Sequence, residues 1–311
     1  MVVLDPRPSR SYAIESALFD SHGIGFLVPD SNRATPVELG GADVLLVHLG
    51  PIRPADVAAM TRARGVVIYA IGRDAADSPE VKESGLLVRS VPGYCIDEVS
   101  DHAIALLLAS ERQIVGLDIA TREGKWLQAK SSLRLRRLRG RSLGIVGAGR
   151  IGKEVARKAR AFGLQTLAFD PYLAPDSIDG LTMVPFEELL VLSDIVILTV
   201  PLTAETRHLM DERAFSRMRQ GSLLVNVSRG GVVDEVALVA ALDQGRPAFA
   251  ALDVREDEPP ILKDPLFKRR DVIFTPHIAA SSVEAGASLS TQVAELAIEM
   301  IEGGTTSARS V

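Results

Sequence analysis

The run Leu143–Asp170, LGIVGAGRIGKEVARKARAFGLQTLAFD, constrains this chain more than any other, because a strand, a glycine turn, a helix and a second strand closing on an acid follow in unbroken order. Each glycine of the G-x-G-x-x-G spacing has a separate task. Gly147 permits the tight turn, Gly149 lets the main chain approach a pyrophosphate, and Gly152 lets the helix pack on the strand. The first N–H groups of that helix then face the phosphates. Asp170 ends the second strand, where a carboxylate accepts ribose hydroxyls and repels a 2′-phosphate, and Pro171 follows with no adjacent cation. The reading is a dinucleotide site that favours NAD over NADP; a glycine-rich turn of some other α/β protein would not require the closing acid.

The motif sits mid-chain, so about 140 residues precede it and need a core of their own, and 311 residues suffice for two domains. Aromatic residues are few at 5%, as suits sheets covered by Ala-, Leu- and Val-rich helices, and the net charge of −5 gives no reason to expect nucleic acid. One basic run, Arg134, Arg136, Arg137, Arg139 and Arg141, reads as a solvated or subunit-contacting surface, with anion binding as the alternative. The single cysteine, Cys95, excludes an internal disulfide and a cysteine-based zinc cluster, and no metal site is expected. The N-terminal MVVLDPRPSR lacks the apolar core of an export signal, and no apolar run approaches the ~20 residues of a membrane span. These features read as a soluble cytoplasmic protein without a membrane partner.

Short apolar strands alternate with helices throughout, which implies doubly wound parallel sheets. Strands are expected at 2–4, 44–47, 66–69 and 86–88, with helices over 9–21 and 54–61. A long apolar helix from Ile96 to about Arg112 suits burial against the next domain or a second subunit. Beyond the glycine motif, strands are expected at 195–199, 223–226, 250–253 and 272–275, with helices over 204–218, 235–244 and 283–302. The last helix is expected to return to the N-terminal domain. The fold class is therefore α/β with two Rossmann- or flavodoxin-like domains: residues 1–96 with 282–311 for substrate, and 97–281, inserted between them, for the cofactor.

Polar groups cluster where strands end, the place at which open parallel sheets bind ligands. His277 follows strand and proline in FTPHIAAS; Ser228-Arg229-Gly230-Gly231 follows LLVN; Arg255-Glu256-Asp257-Glu258-Pro259 follows AALDV. A cation to grip a carboxylate, a histidine to move a proton and an acid to orient it are what hydride transfer between a nicotinamide and a 2-hydroxy acid requires. On spacing alone, a surface salt-bridge set is an equal reading. His48 ends an apolar strand and could line a cleft, whereas His22, His102 and His208 read as structural.

Four motifs in order, GAGRIG with Asp170, VPLTAETRHLM, NVSRGGVVDEVAL, and LDVREDEPP followed by TPHIAAS, make residues 65–303 resemble the D-isomer-specific 2-hydroxyacid dehydrogenase family. That family includes phosphoglycerate, glycerate, formate and phosphite dehydrogenases and glyoxylate/hydroxypyruvate reductases. The resemblance implies an NAD-dependent oxidoreductase in which Arg229 holds the carboxylate and carbonyl oxygen, His277 exchanges the hydroxyl proton, and Glu258 bonds His277 and favours its protonated form. It implies Arg150 and Ile151 at the pyrophosphate, Val200 and Pro201 beside the adenine, and Asp253 at the nicotinamide carboxamide. Val227, Ser228 and the loop from His277 through Ala279 and Ala280 are implied nearby. In the first domain, YAIGRDAAD resembles the family's glycine loop, so the main chain of Ile71 and Gly72 would bind the carboxylate.

Departures bear on the substrate. Ala70 replaces a glycine of that loop, Arg73, Ala75 and Ala76 replace apolar and Asn residues, His48 stands where phosphoglycerate dehydrogenases carry a phosphate-clamping arginine, and Arg255 replaces an aromatic. The substrate expected is a small anionic 2-hydroxy or 2-oxo acid, with His48 and Arg73 as further candidate contacts. An enzyme for phosphite, formate or a phosphonate-bearing acid, and an NAD(H)-sensing corepressor-like protein, are the alternatives. In the resembling family the apolar helix and the Arg-rich run lie at a subunit contact, so a homodimer is expected.

Overall fold

A computed structural model describes residues 1–8, 10–48, 50–127, 135–174, 180–261 and 263–303. The chain divides into two compact units, Met1–Tyr94 with Ser282–Val311, and Cys95–Ser281.

In the first unit, β1 (Val2–Val3), β2 (Val44–Val47), β3 (Gly65–Ile68) and β4 (Leu87–Ser90) form a parallel sheet in that order. Every residue of β2 and β3 is buried, which is why both read as continuous apolar runs: helices cover both faces. Val2 also bridges Leu27 in parallel on the far side of β1, which completes a flavodoxin-like strand order. Helix α1 spans Ala13–Ser21, shorter than expected, and α3 (Pro54–Ala59) follows β2. Two short helices escaped the sequence reading, α2 (Pro36–Gly40), opened by a Thr35–Glu38 capping box, and α4 (Pro79–Glu83), capped by Ser78.

The second unit opens with α5 (Ile96–Glu111) and α6 (Ile114–Arg122). The Rossmann elements follow: β5 (Ser142–Val146), α7 (Arg150–Ala161), β6 (Gln165–Phe169), β7 (Thr182–Met183), α8 (Phe186–Leu192), β8 (Ile195–Leu198), α9 (Glu212–Arg217), β9 (Leu223–Asn226), α10 (Glu235–Asp243), β10 (Phe249–Leu252) and β11 (Val272–Phe274). All pairings are parallel, in the order β11-β10-β9-β8-β5-β6-β7. Strand order reverses between β5 and β8, which opens a crevice at their carboxyl ends.

One helix differs from expectation. Residues 204–218 are not a single helix: Thr203 and Thr206 bond each other's backbone in a turn, and α9 begins only after Asp211, whose carboxylate accepts from Ala214 N at 2.8 Å. The basic run is exposed at Arg136, Arg137 and Arg139, as it reads, and withdrawn from solvent only at its last member. Arg141 forms a buried ion pair with Glu111, and Arg136 donates to the Gly221 carbonyl; Arg134 lies outside the described residues.

Helix α5 packs on α7, β9 and β10 of its own unit, burying Val99, Ala103, Ile104 and Leu107. Helix α6 buries nothing, and with the residues after it exposes Ile114, Val115, Ile119, Trp126 and Leu127. The closing helix, α11 (Val283–Glu302), is capped by Ser282 and belongs to the first unit. Its Val293, Ala294 and Ala297 pack on Val3, Val44, Leu46 and Val67. A fully buried valine or leucine contributes about 1.5–3 kcal/mol, so this face holds α11 to the first sheet. Among the described residues, no helix is long and apolar enough to cross a membrane.

Candidate active site

The crevice at the ends of β5 and β8 is shaped by the absence of side chains. Gly147 has φ +96°, and a Cβ there would lie 2.9 Å from Val200 Cγ1 and 3.0 Å from the Thr199 carbonyl carbon. A Cβ on Gly152 would lie 2.1 Å from the Gly147 oxygen, so helix α7 can start against the strand only with glycine there. A Cβ on Gly149 would meet nothing within 4 Å. Space is therefore open where a pyrophosphate would approach, and no side chain caps the N-terminus of α7. Arg150 and Ile151 form its first turn, and Val200 and Pro201 follow β8. Asp170, at the end of β6, accepts from Ala148 N and Tyr172 N, both at 3.0 Å, and so ties the glycine turn to the second strand. These residues fit a dinucleotide bearing free ribose hydroxyls.

Three further strand ends carry the expected ionisable groups. Asn226, buried at the end of β9, accepts from Ser228 N at 3.0 Å and Ser228 Oγ at 2.7 Å and donates to the Arg229 carbonyl at 2.9 Å. That folds the Val227–Gly230 turn and presents Arg229, whose Nη1 donates to the Ser228 carbonyl at 2.9 Å. After β10, the Arg255 N–H donates to Glu258 Oε1 at 2.9 Å. After β11, His277 Nδ1 lies 2.6 Å from Glu258 Oε2. Burial pushes the Glu258 carboxyl up, but the bonds from His277 and the Arg255 N–H outweigh it and hold the group below its ordinary range. Glu258 is a carboxylate near neutral pH, and Nδ1–H of His277 donates to it.

His277 has φ +53°, a left-handed conformation that a non-glycine residue adopts only where its surroundings dictate it. Asp253 supplies much of that dictation. Its carbonyl accepts from His277 N at 2.7 Å, and its carboxylate accepts from Thr275 Oγ1 at 2.6 Å, Ile278 N at 3.0 Å and Ala279 N at 2.9 Å. His102 Nε2 lies 2.9 Å from Thr275 Oγ1 and 3.4 Å from Asp253 Oδ1. Burial again pushes the Asp253 carboxyl up, and these donors bring it below its ordinary value. Both oxygens of Asp253 thus serve the loop that carries His277, Ala279 and Ala280.

The first unit places its candidates at the ends of β2 and β3. His48 is 5% exposed; its Nε2 lies 2.8 Å from Tyr12 OH and its ring stacks on Tyr69 at 4.1 Å. Burial, then the nearby Arg10 and Arg7, push its imidazole down to about 3, so it is neutral over the physiological range. Ile71 and Gly72 follow β3, with Ile71 exposed. Arg73 is exposed, and its Nε lies 3.4 Å from Ser90 Oγ.

Asn226 and Thr275 shape the site without having been picked out from the sequence, and His102, read there as structural, is joined to it through Thr275. Asn226 and Thr275 were legible as polar residues ending apolar strands. His102 is tied to a threonine 173 residues away, a distance that local pattern cannot bridge. Among the described residues, no group of His, Cys, Asp and Glu is arranged to hold a metal ion.

Residues 104–279 match the D-isomer specific 2-hydroxyacid dehydrogenase family, NAD binding domain. A glyoxylate reductase of Korarchaeum cryptofilum is 40% identical over 280 residues, 88% of this chain and 84% of that protein. A D-3-phosphoglycerate dehydrogenase of Archaeoglobus fulgidus is 40% identical over 235 residues, 75% of this chain and only 44% of that longer protein. Among solved structures, a D-lactate dehydrogenase of Aquifex aeolicus complexed with NAD and lactic acid is 26% identical with a TM-score of 0.87, covering 97% of this chain and 96% of that one.

Proposed function

The chain belongs to the D-isomer-specific 2-hydroxyacid dehydrogenase family, and from that premise we propose that it interconverts a small D-2-hydroxy acid and its 2-oxo acid with NAD(H). The observation that carries this reading is the 2.6 Å pairing of His277 Nδ1 with an ionised Glu258, which leaves Nε2 for the substrate. Gly147, Gly149 and Gly152, the first turn of α7 and Asp170 would hold the dinucleotide. NADH, when bound, supplies the hydride to the carbonyl carbon. In that direction His277 Nε2 donates a proton to the substrate oxygen while Arg229 opposes the charge growing there, and in oxidation His277 takes the proton back. Glu258 holds the imidazole in one tautomer and one orientation.

We assign substrate binding to the first unit, through the Ile71 and Gly72 main chain. A neutral His48 offers neither the charge nor the bidentate fork with which an arginine grips phosphate. The substrates that fit are small unphosphorylated 2-oxo acids such as glyoxylate or hydroxypyruvate. We also read the chain as a homodimer, supported by the exposed apolar residues of and after α6. The test is a 2-oxo acid panel followed by NADH absorbance, with phosphohydroxypyruvate and a phosphonate-bearing acid included. Glyoxylate or hydroxypyruvate should lead. A lead for phosphohydroxypyruvate overturns the substrate assignment, and no turnover with any acid overturns the reading as an enzyme.

A further inference from the structure

Arg255 departs from the aromatic residue common at its position in the family, yet it is 7% exposed and cannot be a surface accident. Its Nε and Nη2 donate to the two oxygens of Glu235, each at 2.8 Å, and Nη2 donates to Asp264 Oδ2 at 2.6 Å. The guanidinium carbon lies 5.2 Å from the ring centroids of both Phe267 and Phe274. A buried cation with two carboxylates and two aromatic faces is fixed in one orientation, because any other would leave charge unpaired.

What the cluster fixes is the turn carrying Glu258. Glu235 Oε1 also accepts from the Glu256 N–H at 2.9 Å, and Gly230 packs against the Arg255 carbonyl. Main chain and side chain of Arg255 are thus held together from α10, from the Arg229 turn and from the segment leading into β11. The Arg255 N–H is what aligns Glu258 Oε1, and that alignment turns Oε2 toward His277. The charged groups facing Glu258 are His277 and Asp253; Glu256 is turned instead to His208 at 2.7 Å and Arg207 at 3.8 Å. Glu258 is itself partly exposed, so without a fixed turn its carboxylate can swing to solvent.

We propose that Arg255 and Glu235 are positioning residues for the chemistry proposed above, holding the turn that aims Glu258 at His277. The inference rests on reading His277 and Glu258 as the proton-transfer pair. R255M, R255K and E235Q are compared with wild type in two measurements: NMR of the His277 ring N–H in histidine-labelled protein, with H277Q identifying the resonance, and steady-state kinetics of glyoxylate reduction by NADH.

In R255M and E235Q the His277 Nδ1–H signal is lost or moves to that of a freely hydrated ring, because a loosened carboxylate no longer accepts it. The rate kcat falls roughly ten- to hundredfold while KM for NADH stays within about twofold, as expected when only the reacting groups are displaced. R255K, which keeps the charge and loses the fork, is intermediate. If R255M does not fold, E235Q and R255K decide. An unmoved Nδ1–H signal in folded variants overturns the proposal, even where activity or Tm falls. A wild type that reduces no 2-oxo acid overturns the functional reading alone, since the Nδ1–H signal still reports on the positioning.

Discussion

Gly230 and Arg255 meet backbone to backbone: a Cβ on Gly230 would lie 1.8 Å from the Arg255 carbonyl carbon. The turn presenting Arg229 and the turn presenting Glu258 therefore cannot move independently. Gly230→Ala is expected to push them apart, lowering kcat/KM at least roughly a hundredfold. Overpacking of this kind costs about 1–3 kcal/mol of stability, so the protein stays folded and thermal unfolding measured beside steady-state kinetics separates the two effects. Activity near that of wild type would show that the turns yield.

His277→Gln removes the group that exchanges the proton and leaves the dinucleotide contacts untouched. Turnover should fall by about 10²–10⁴, while NADH binding followed by fluorescence is retained. Near-normal kcat would exclude His277 from the mechanism.

Cofactor choice follows from Asp170, whose carboxylate closes the second Rossmann strand beside Ala148. NADH should exceed NADPH in kcat/KM. Asp170→Asn should weaken NADH by roughly 10- to 100-fold, the value of a hydrogen bond to a charged group, and narrow the preference. A preference of the wild type for NADPH would contradict the assignment.

Where the sequence was legible, one physical signal dominated each segment. The run Leu223–Asn226 is apolar and bounded by turns because it is buried on both faces, and Val283–Glu302 carries a helix-period apolar stripe with a serine cap. The candidate site was legible at Arg229, Glu258 and His277 because strand ends in parallel sheets face the crevice. Helix α6 was not, since the chain itself buries none of it. Arg255 read only as a departure, because its partners Glu235 and Asp264 lie 20 and 9 residues away and spacing does not reveal a buried ion pair. Residues 204–218 misled because local pattern did not reveal that Thr203 and Thr206 hold the start of the segment in a turn.

The neutral His48 makes stability depend on acid pH. Its folded value of about 3 lies below the unfolded 6.5, so between these limits the unfolded chain binds a proton that the folded chain excludes. Stability is expected to fall as pH drops from 6.5 toward 3, with a contribution of up to about 1.4 kcal/mol per pH unit. His48→Phe should flatten that part of the profile in urea unfolding measured across the range. Parallel profiles for the two proteins would remove His48 as the cause.

Exposed Trp126 and Leu127 and the α6 face predict the oligomeric state. Light scattering at micromolar concentration should give a dimer, and Trp126→Glu with Leu127→Glu should shift it toward monomer, since a charge in the core of an apolar contact is costly. A monomeric wild type would refute the dimer.

The return of α11 to the first sheet makes the order of synthesis matter. Val44, Leu46 and Val67 leave the ribosome long before the helix that covers them, with the roughly 190 residues of the second unit in between. At about 5–20 residues per second that interval lasts about 10–40 s. A nascent chain therefore carries a finished nucleotide unit and a sheet with one apolar face covered only in part, by Phe19 of α1, and this face is where a chaperone or an aggregate would take hold.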